Sequence, residues 1–355
     1  MRIIQVCTSV LYGDGVGNDI VALHQVILTM GYKTAIYAEV IDDRLRTIVH
    51  RLSRIPKLKD DDVIIYHLCI GTSLNYDLQY YKGRKVIIYH NITPPEYFKK
   101  YSFVNYRASF EGVKGMNHLA KVADYCIADS EFNKKDLLSA GYSCKIDTLP
   151  ILIPLQDYNA EPDQSVIDKY TDGYTNLLFT GRIVPNKKQE DIISLFYCYQ
   201  KYYNPRSRLF LAGSVSVENY ERRLKDYIDV LGVKEVYFTG HISFQEILAY
   251  YHLADAFVCM SEHEGFCIPL IEAMYFGIPI LAYNSSAVGE TLGGCGFLTD
   301  TKDSIFNAAI LNRILTDQTL KQDIIYNEKI RLKDFDNRLI EERFIRYLKT
   351  FLGNA

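Results

Sequence analysis

Short apolar, β-branched runs alternate with amphipathic helical stretches along almost the whole chain, and that alternation commits it to parallel α/β units. RIIQVCTSV at the start reads as a first strand, and a glycine-rich turn, YGDGVGND, follows it. Ile20, Leu23, Val26, Ile27 and Met30 then recur at helical spacing, and Gly31 closes that helix. KTAIYAEV, DVIIYHL, KVIIYHN and DYCIADS supply further strands, with a helical stretch before Ala123 and another capped by Ser130.

The series halts near LPILIP. From about Leu155 to Tyr174 the chain is polar, with Pro154, Pro162 and several Asp, and reads as a linker. TNLLFTGRI, SRLFLAGS, EVYFTGHI, DAFVCMS, IPILAYN and GGCGFLTD then restart it, with helices over 189–203 and 244–252 between them. Two domains follow, at 1–160 and 161–335, with a ligand cleft between them. A charged amphipathic helix at about 336–355 ends the chain and is expected to pack back on the first domain.

Hydrophobic residues make up 48% and charged residues 23%, a soluble globular balance. The net charge of −3 gives no global attraction to nucleic acid, so no nucleic-acid partner is expected. No run approaches the ~18 apolar residues that span a bilayer, and MRIIQVCTSV lacks the features of a signal peptide. A cytoplasmic protein is expected. The eight Cys are scattered without CxxC spacing, and several lie in apolar runs, which favours reduced thiols over disulfides or zinc.

The strongest chemical signal is SEHEGFCIPLIEAMYFGIPILAY. A buried strand ends at Met260, an acidic loop containing Gly265 follows, and Pro269 sits in the first turn of a helix. Strand, loop and helix N-terminus form an anion site, with Glu264 in the loop and Glu272 a turn inside the helix. Spacing alone leaves a loop charge and a solvated helix residue equally open. Arg182 follows a strand and a Gly, and Lys187 lies five residues on, past Pro185. Fixed cations there would stabilise a departing diphosphate, although two surface cations are the commoner meaning of any such pair.

SEHEGFCIPLIEAM resembles the Glu-x7-Glu signature of the large retaining glycosyltransferase family that includes bacterial polysaccharide mannosyl- and glucosyltransferases and sucrose synthase (family 4, group 1). GRIVPNKKQEDII is similar to that family's phosphate-binding segment, FLAGS and VYFTGHIS to its nucleotide-proximal strands, and YHNITPPEYF and ADSEFNKKDL to its acceptor-side domain. The resemblance implies the GT-B fold, two facing Rossmann-like doubly wound domains with a central cleft and the donor mainly on the second. It implies that Glu264 contacts the transferred sugar and Glu272 the ribose. Gly265 and the backbone N–H groups of Phe266, Cys267 and Ile268 would lie near sugar and phosphates, with Arg182 and Lys187 on the phosphates. The family often has Gly where this chain has Cys267. YGDGVGND resembles the family's glycine loop, with Gly15 on the second glycine and Asp14 replacing the first.

The family also carries a functional His where His90 ends KVIIYHN, to orient an acceptor hydroxyl or contact the donor sugar. His67, at the end of DVIIYHL, is evenly balanced between structure and function. The implied reaction is metal-independent, retaining transfer of a hexosyl group from a nucleotide diphosphate sugar, such as GDP-mannose or UDP-glucose, to a glycan or lipid-linked glycan. Bacterial surface polysaccharide assembly is the setting by analogy. A nucleotide-sugar epimerase of the same fold and a non-catalytic partner subunit stay open.

No cofactor and no metal are expected. The D-x-D strings at Asp60–Asp62 and Asp334–Asp336 are placed wrongly for a metal-binding motif and read as solvated turns or caps. RLRTIVHRLSRIPKLK carries Arg44, Arg46, Arg51, Arg54, Lys57 and Lys59 among Leu and Ile. Contact with an anionic inner membrane face and a solvated helix face are equal readings of it.

Overall fold

The computed structural model describes residues 1–11 and 13–353; Tyr12 of the glycine-rich loop and residues 354–355 of the expected terminal helix lie outside the described residues. The chain divides into two compact units, Met1–Glu96 with Phe103–Pro154 and Phe335–Ala355, and Tyr97–Ser102 with Leu155–Asp334.

The first unit is built on seven parallel strands: β1 (Arg2–Val10), β2 (Lys33–Ile41), β3 (Val49–Arg51), β4 (Val63–Leu68), β5 (Arg84–Tyr89), β6 (Tyr125–Ala128) and β7 (Lys145–Thr148). Their order is β3-β2-β1-β4-β5-β6-β7. Helices cover both faces, which is why the central strands are apolar throughout rather than alternating. One face packs Ile4, Tyr66, Ile87, Leu119 and Leu137; the other packs Ile3, Leu23, Ile65 and Ile88. The terminal helix Asn337–Leu352, capped by Asp336, lays Ile340, Phe344 and Leu348 into that second core. Ser130 caps the helix Glu131–Ser139 by accepting from the Asn133 N–H.

The second unit has six parallel strands: β8 (Thr175–Thr180), β9 (Ser207–Ala212), β10 (Val236–Gly240), β11 (Ala256–Cys259), β12 (Ile280–Tyr283) and β13 (Phe297–Thr299), in the order β10-β9-β8-β11-β12-β13. Leu178, Phe210, Phe257, Leu270 and Ile280 centre its core. Each sheet reverses its winding once, between β1 and β4 and between β8 and β11. In such sheets ligands bind outside the carboxyl ends of the strands that flank the reversal.

Three sequence expectations change. The basic stretch is not a helix: Asp43–Leu45 and Leu52–Arg54 are short 3-10 turns around edge strand β3. Val49 is buried against β2, and pairing with a sheet edge wins over helical periodicity. The linker is largely ordered, with a 3-10 turn at Leu155–Asn159 and a helix at Gln164–Tyr170 capped by Asp163. Asp62 is not solvated. It is buried and accepts from the Arg2 N–H and guanidinium and the Lys59 N–H. Burial opposes its ionisation, but these donors hold the carboxyl down to about 2.

Candidate functional site

β8 and β11 flank the reversal in the second unit, and the loops leaving them carry Arg182, Lys187 and Glu264. After β8 the backbone is clamped on both sides of Arg182: Gly181 N–H donates to the Ala212 carbonyl and Ile183 N–H to Ser214, both at 2.9 Å. The Arg182 carbonyl accepts from Gln189 Nε2 at 3.0 Å. Its side chain is exposed and makes no ion pair among the described residues. The chain then turns through the 3-10 segment Pro185–Lys187 into the helix Gln189–Tyr202.

Lys187 reaches across to Glu264, with Nζ at 2.6 and 2.5 Å from the two carboxylate oxygens. Burial alone would discharge the ammonium, but Glu264 outweighs it and raises the Lys187 pKa above its ordinary value. A permanent cation is thereby kept in a desolvated place. A carboxylate has about four acceptor positions, so Glu264 retains capacity for sugar hydroxyls while it holds the lysine.

The Glu264 loop is fixed at many points. Glu262 N–H donates to the Asn186 carbonyl (2.8 Å), and Asn186 Nδ2 donates to the His263 carbonyl (3.0 Å). Glu264 N–H donates to Ser286 Oγ (2.8 Å), and the Thr291 hydroxyl donates to the Phe266 carbonyl. Lys302 Nζ donates to the Met260 carbonyl at 2.5 Å and to Asp191 at 2.7 Å. Cys267 caps the helix Ile268–Phe276 with φ +74°, a left-handed conformation that suits glycine. Pro269 occupies the first turn, as the sequence indicates.

Glu272 sits within that helix and is engaged differently from the sequence expectation. Its two oxygens accept from Tyr158 Oη (2.6 Å) and Tyr251 Oη (2.5 Å). Burial pushes the carboxyl up, and the two hydroxyls oppose this in part. Among the described residues, neither Glu272 nor the Arg182 guanidinium bonds to the Lys187–Glu264 pair. Sequence reasoning missed Tyr158, which lies in the stretch read as a linker, as well as Tyr251, Asn186 and Lys302. An aromatic residue in an otherwise polar linker was the available signal for Tyr158.

In the first unit Gly15 begins the helix Gly15–Thr29, which Asp14 caps by accepting from Gly17 N–H; Asp14 thus has a structural task. The His90 ring is buried. The imidazole has 0% exposure, with Nδ1 3.0 Å from Asp129 Oδ2 and Nε2 2.8 Å from His67 Nδ1. His67 Nε2 in turn meets Gln5 Oε1 at 2.8 Å. The ring expected to orient an acceptor hydroxyl or contact the donor sugar thus has both its nitrogens engaged by neighbouring side chains.

Among the described residues, two groups of side chains have the composition of metal ligands, Asp19–His67–His90 and Cys259–Glu264–Cys267, each with ligand atoms within 4.8 Å of one another. In the first, the histidine nitrogens are spent on the bonds just described. In the second, the Lys187 ammonium already neutralises Glu264 and would repel a divalent ion. Neither donor set suits a resident metal.

Residues 163–331 match the family model described as glycosyl transferases group 1. The serotype-specific mannosyltransferase WbdA of Escherichia coli is 29% identical over 170 residues, 47% of this chain and 21% of that protein. The O-antigen chain mannosyltransferase B of Escherichia coli is 24% identical over 275 residues, 73% of this chain and 68% of that protein. The chain thus spans only about a fifth of the length of WbdA. The crystal structure of Anabaena Alr3699/HepE in complex with UDP-glucose superposes with a TM-score of 0.76 at 19% identity, covering 99% of this chain and 100% of that one. That likeness shows a shared GT-B fold.

Proposed function

We propose that the chain, whose residues 163–331 match the model of the group 1 glycosyl transferases, moves a hexosyl group from a nucleotide diphosphate sugar to a hydroxyl of a glycan or lipid-linked glycan. The observation that carries this reading is the ion pair of half-buried Lys187 with buried Glu264 at the reversal point of the second sheet. A departing nucleotide diphosphate gains negative charge in the transition state. A cation kept protonated in a desolvated loop stabilises that charge more than the ground state, and the exposed Arg182 supplies a second, mobile cation. Glu264 accepts hydrogen bonds from the sugar with its remaining lone pairs, and Glu272 exchanges tyrosine hydroxyls for those of ribose. Gly265 and the N–H groups of Phe266, Cys267 and Ile268 line the sugar and phosphates.

With these cations in place the reaction needs no metal and no other cofactor. Transfer proceeds with retention, the acceptor hydroxyl giving its proton to the leaving phosphate oxygen. Similarity to proteins named as a serotype-specific and an O-antigen chain mannosyltransferase supports a mannosyl donor such as GDP-mannose and a surface polysaccharide product; an acceptor carried on lipid would be met at an anionic inner membrane face.

Thermal-shift screening against a panel of nucleotide sugars tests the reading, because a donor that binds only the folded state raises its melting temperature. A shift with one donor, lost in Lys187→Ala, is expected; no shift with any donor, or an undiminished shift in the variant, overturns it. Incubating the donor without acceptor separates transfer from epimerisation. NMR of the product's anomeric centre tests retention, and an inverted centre rules it out.

A further inference from the structure

Two thiols bracket the loop that carries Glu264, and the proposed reaction uses neither sulfur. Cys259 ends β11, and Cys267 caps the helix Ile268–Phe276. Both residues belong to the same core, at 1% and 6% exposure. The two sulfurs and a Glu264 oxygen all lie within 4.8 Å of one another, and the Cys267 thiol hydrogen-bonds to Cys259. Both cysteines are free.

The backbone at Cys267 sets the second thiol apart. Its φ of +74° lies in the left-handed region, which glycine adopts without penalty and a residue with a Cβ does not. Such an outlier beside a binding loop points to a task for the side chain itself. The Lys187 ammonium, 2.5 Å from a Glu264 oxygen, is near enough for its charge to act on both sulfurs. A cation beside a thiol favours the thiolate. The hydrogen bond from Cys267 lowers the Cys259 pKa against burial, and the same bond raises that of Cys267. Cys259 is therefore the sulfur that ionises first, and Cys267 keeps its proton.

We infer that Cys259 and Cys267 form a modification site for hydroperoxides, at which a disulfide closes across the Glu264 loop and abolishes donor binding. The Cys259 thiolate attacks one oxygen of hydrogen peroxide, the O–O bond breaks and hydroxide leaves, giving a sulfenic acid. The Cys267 sulfur then attacks that of Cys259, the S–O bond breaks, and the departing hydroxide takes the Cys267 proton as water. The first hydroxide regains the proton that Cys259 gave up. Two thiols thus lose two electrons, and one peroxide becomes two waters. An oxidant little larger than water suits thiols this buried. Closing the sulfurs to the roughly 2.05 Å of a disulfide draws the helix cap towards the strand end. The N–H groups of Phe266, Cys267 and Ile268 move with it. The consequence for binding rests on the donor site of the proposed function; the disulfide itself does not. Cys126 and Cys144, with sulfurs 3.6 Å apart, are a second oxidisable pair, but the loop between them contains none of the donor residues.

Peptide mapping of the full chain after hydrogen peroxide tests the disulfide without any donor. A non-reduced digest is expected to contain Cys259 linked to Cys267, and dithiothreitol should release the link. The thermal shift given by GDP-mannose or UDP-glucose should be lost after peroxide and return with dithiothreitol. Cys144→Ser should lose its shift as the wild type does, whereas Cys259→Ala should keep its shift through the treatment. Where Cys259→Ala does not fold, the wild-type digest and its reversal decide. Absence of the Cys259–Cys267 link, a shift untouched once the link is complete, or a loss that Cys144→Ser prevents overturns the inference. A link formed in a protein that no nucleotide sugar stabilises sinks the proposed reaction and leaves the disulfide standing; a donor shift indifferent to peroxide, with no link, does the reverse.

Discussion

His67 Nδ1 and His90 Nε2 face each other at 2.8 Å inside the first unit, and the groups at either end decide where the protons are. Gln5 Nε2 donates to the Ile20 carbonyl, so Gln5 Oε1 is the acceptor turned to His67 Nε2, which must carry a hydrogen. Burial, with the His90 charge adding, holds His67 well below its ordinary pKa and keeps it neutral. Its Nδ1 therefore accepts from His90 Nε2–H. Burial would discharge His90 too, but Asp129 at Nδ1 outweighs this and raises its pKa. That shift favours the imidazolium, and ¹⁵N NMR of histidine-labelled protein is expected to show both His90 nitrogens protonated and His67 protonated at Nε2 alone. In Asp129→Asn the His90 charge should vanish. A neutral His90 in the wild type contradicts the assignment. Replacing His90 by Ala strands Asp129 as a buried unpaired acid, at a cost of about 3–5 kcal/mol in chemical denaturation.

Asp19 stands close to the same histidines, and burial foremost pushes its carboxyl up to about 7. The unfolded chain titrates this group near ~3.9. A folded pKa above the unfolded one means that the fold holds the proton more tightly. The stability it contributes is complete below about pH 4 and is lost as pH rises through 7. Asp19→Asn keeps an oxygen for the Leu152 N–H, which bonds Asp19 Oδ1 at 2.9 Å, and removes the titration. Its melting temperature should fall less than that of the wild type between pH 5 and 8 (about the window in which linkage acts) and be the higher of the two at the upper end. Parallel pH profiles would discount the buried acid.

Glu272 holds two tyrosine hydroxyls, and Tyr251 Oη also meets Thr180 Oγ1 at 2.6 Å. Truncation to Ala leaves buried hydroxyls without their acceptor, at roughly 1–3 kcal/mol each, so Glu272→Ala should lose both stability and the donor-induced shift. Glu272→Gln keeps one acceptor oxygen and should fold with a smaller loss, yet still bind nucleotide sugar weakly. Full donor affinity in Glu272→Gln would make the residue purely structural.

The fold was legible because burial on both faces of a parallel sheet writes itself as continuous apolar runs: Arg2–Val10 and Val63–Leu68 stand where RIIQVCTSV and DVIIYHL put them. The short edge strands Val49–Arg51 and Lys145–Thr148 were not, since a few residues at a sheet edge bury too little to leave a pattern. Lys187 and Glu264 were marked by motif, and their pairing is a contact across 77 positions that only the adjacency of β8 and β11 creates. The partners of His90 and Glu272 were illegible for the same reason: Asp129 and Tyr158 join them through tertiary contacts, with no local periodicity to announce them.

Gly213 gives a test of how tightly the strand ends control Arg182. Its φ is +151°, and a Cβ there would lie 2.2 Å from the Gly181 carbonyl oxygen and 3.4 Å from Arg182 N. Both near atoms are backbone, so the loop after β8 must shift to make room. Gly213→Ala should therefore destabilise by about 1–3 kcal/mol from overpacking alone, with backbone strain added. Gly232→Ala is the control: φ is also positive, at +65°, but nothing lies within 4 Å of the new Cβ. It carries only the conformational cost, roughly 1 kcal/mol. Where both variants remain folded, the nucleotide-sugar thermal shift should shrink in Gly213→Ala and persist in Gly232→Ala. An equal shift in the two would mean that the Arg182 backbone can move without loss of the donor, and that the clamp on either side of it serves the sheet alone.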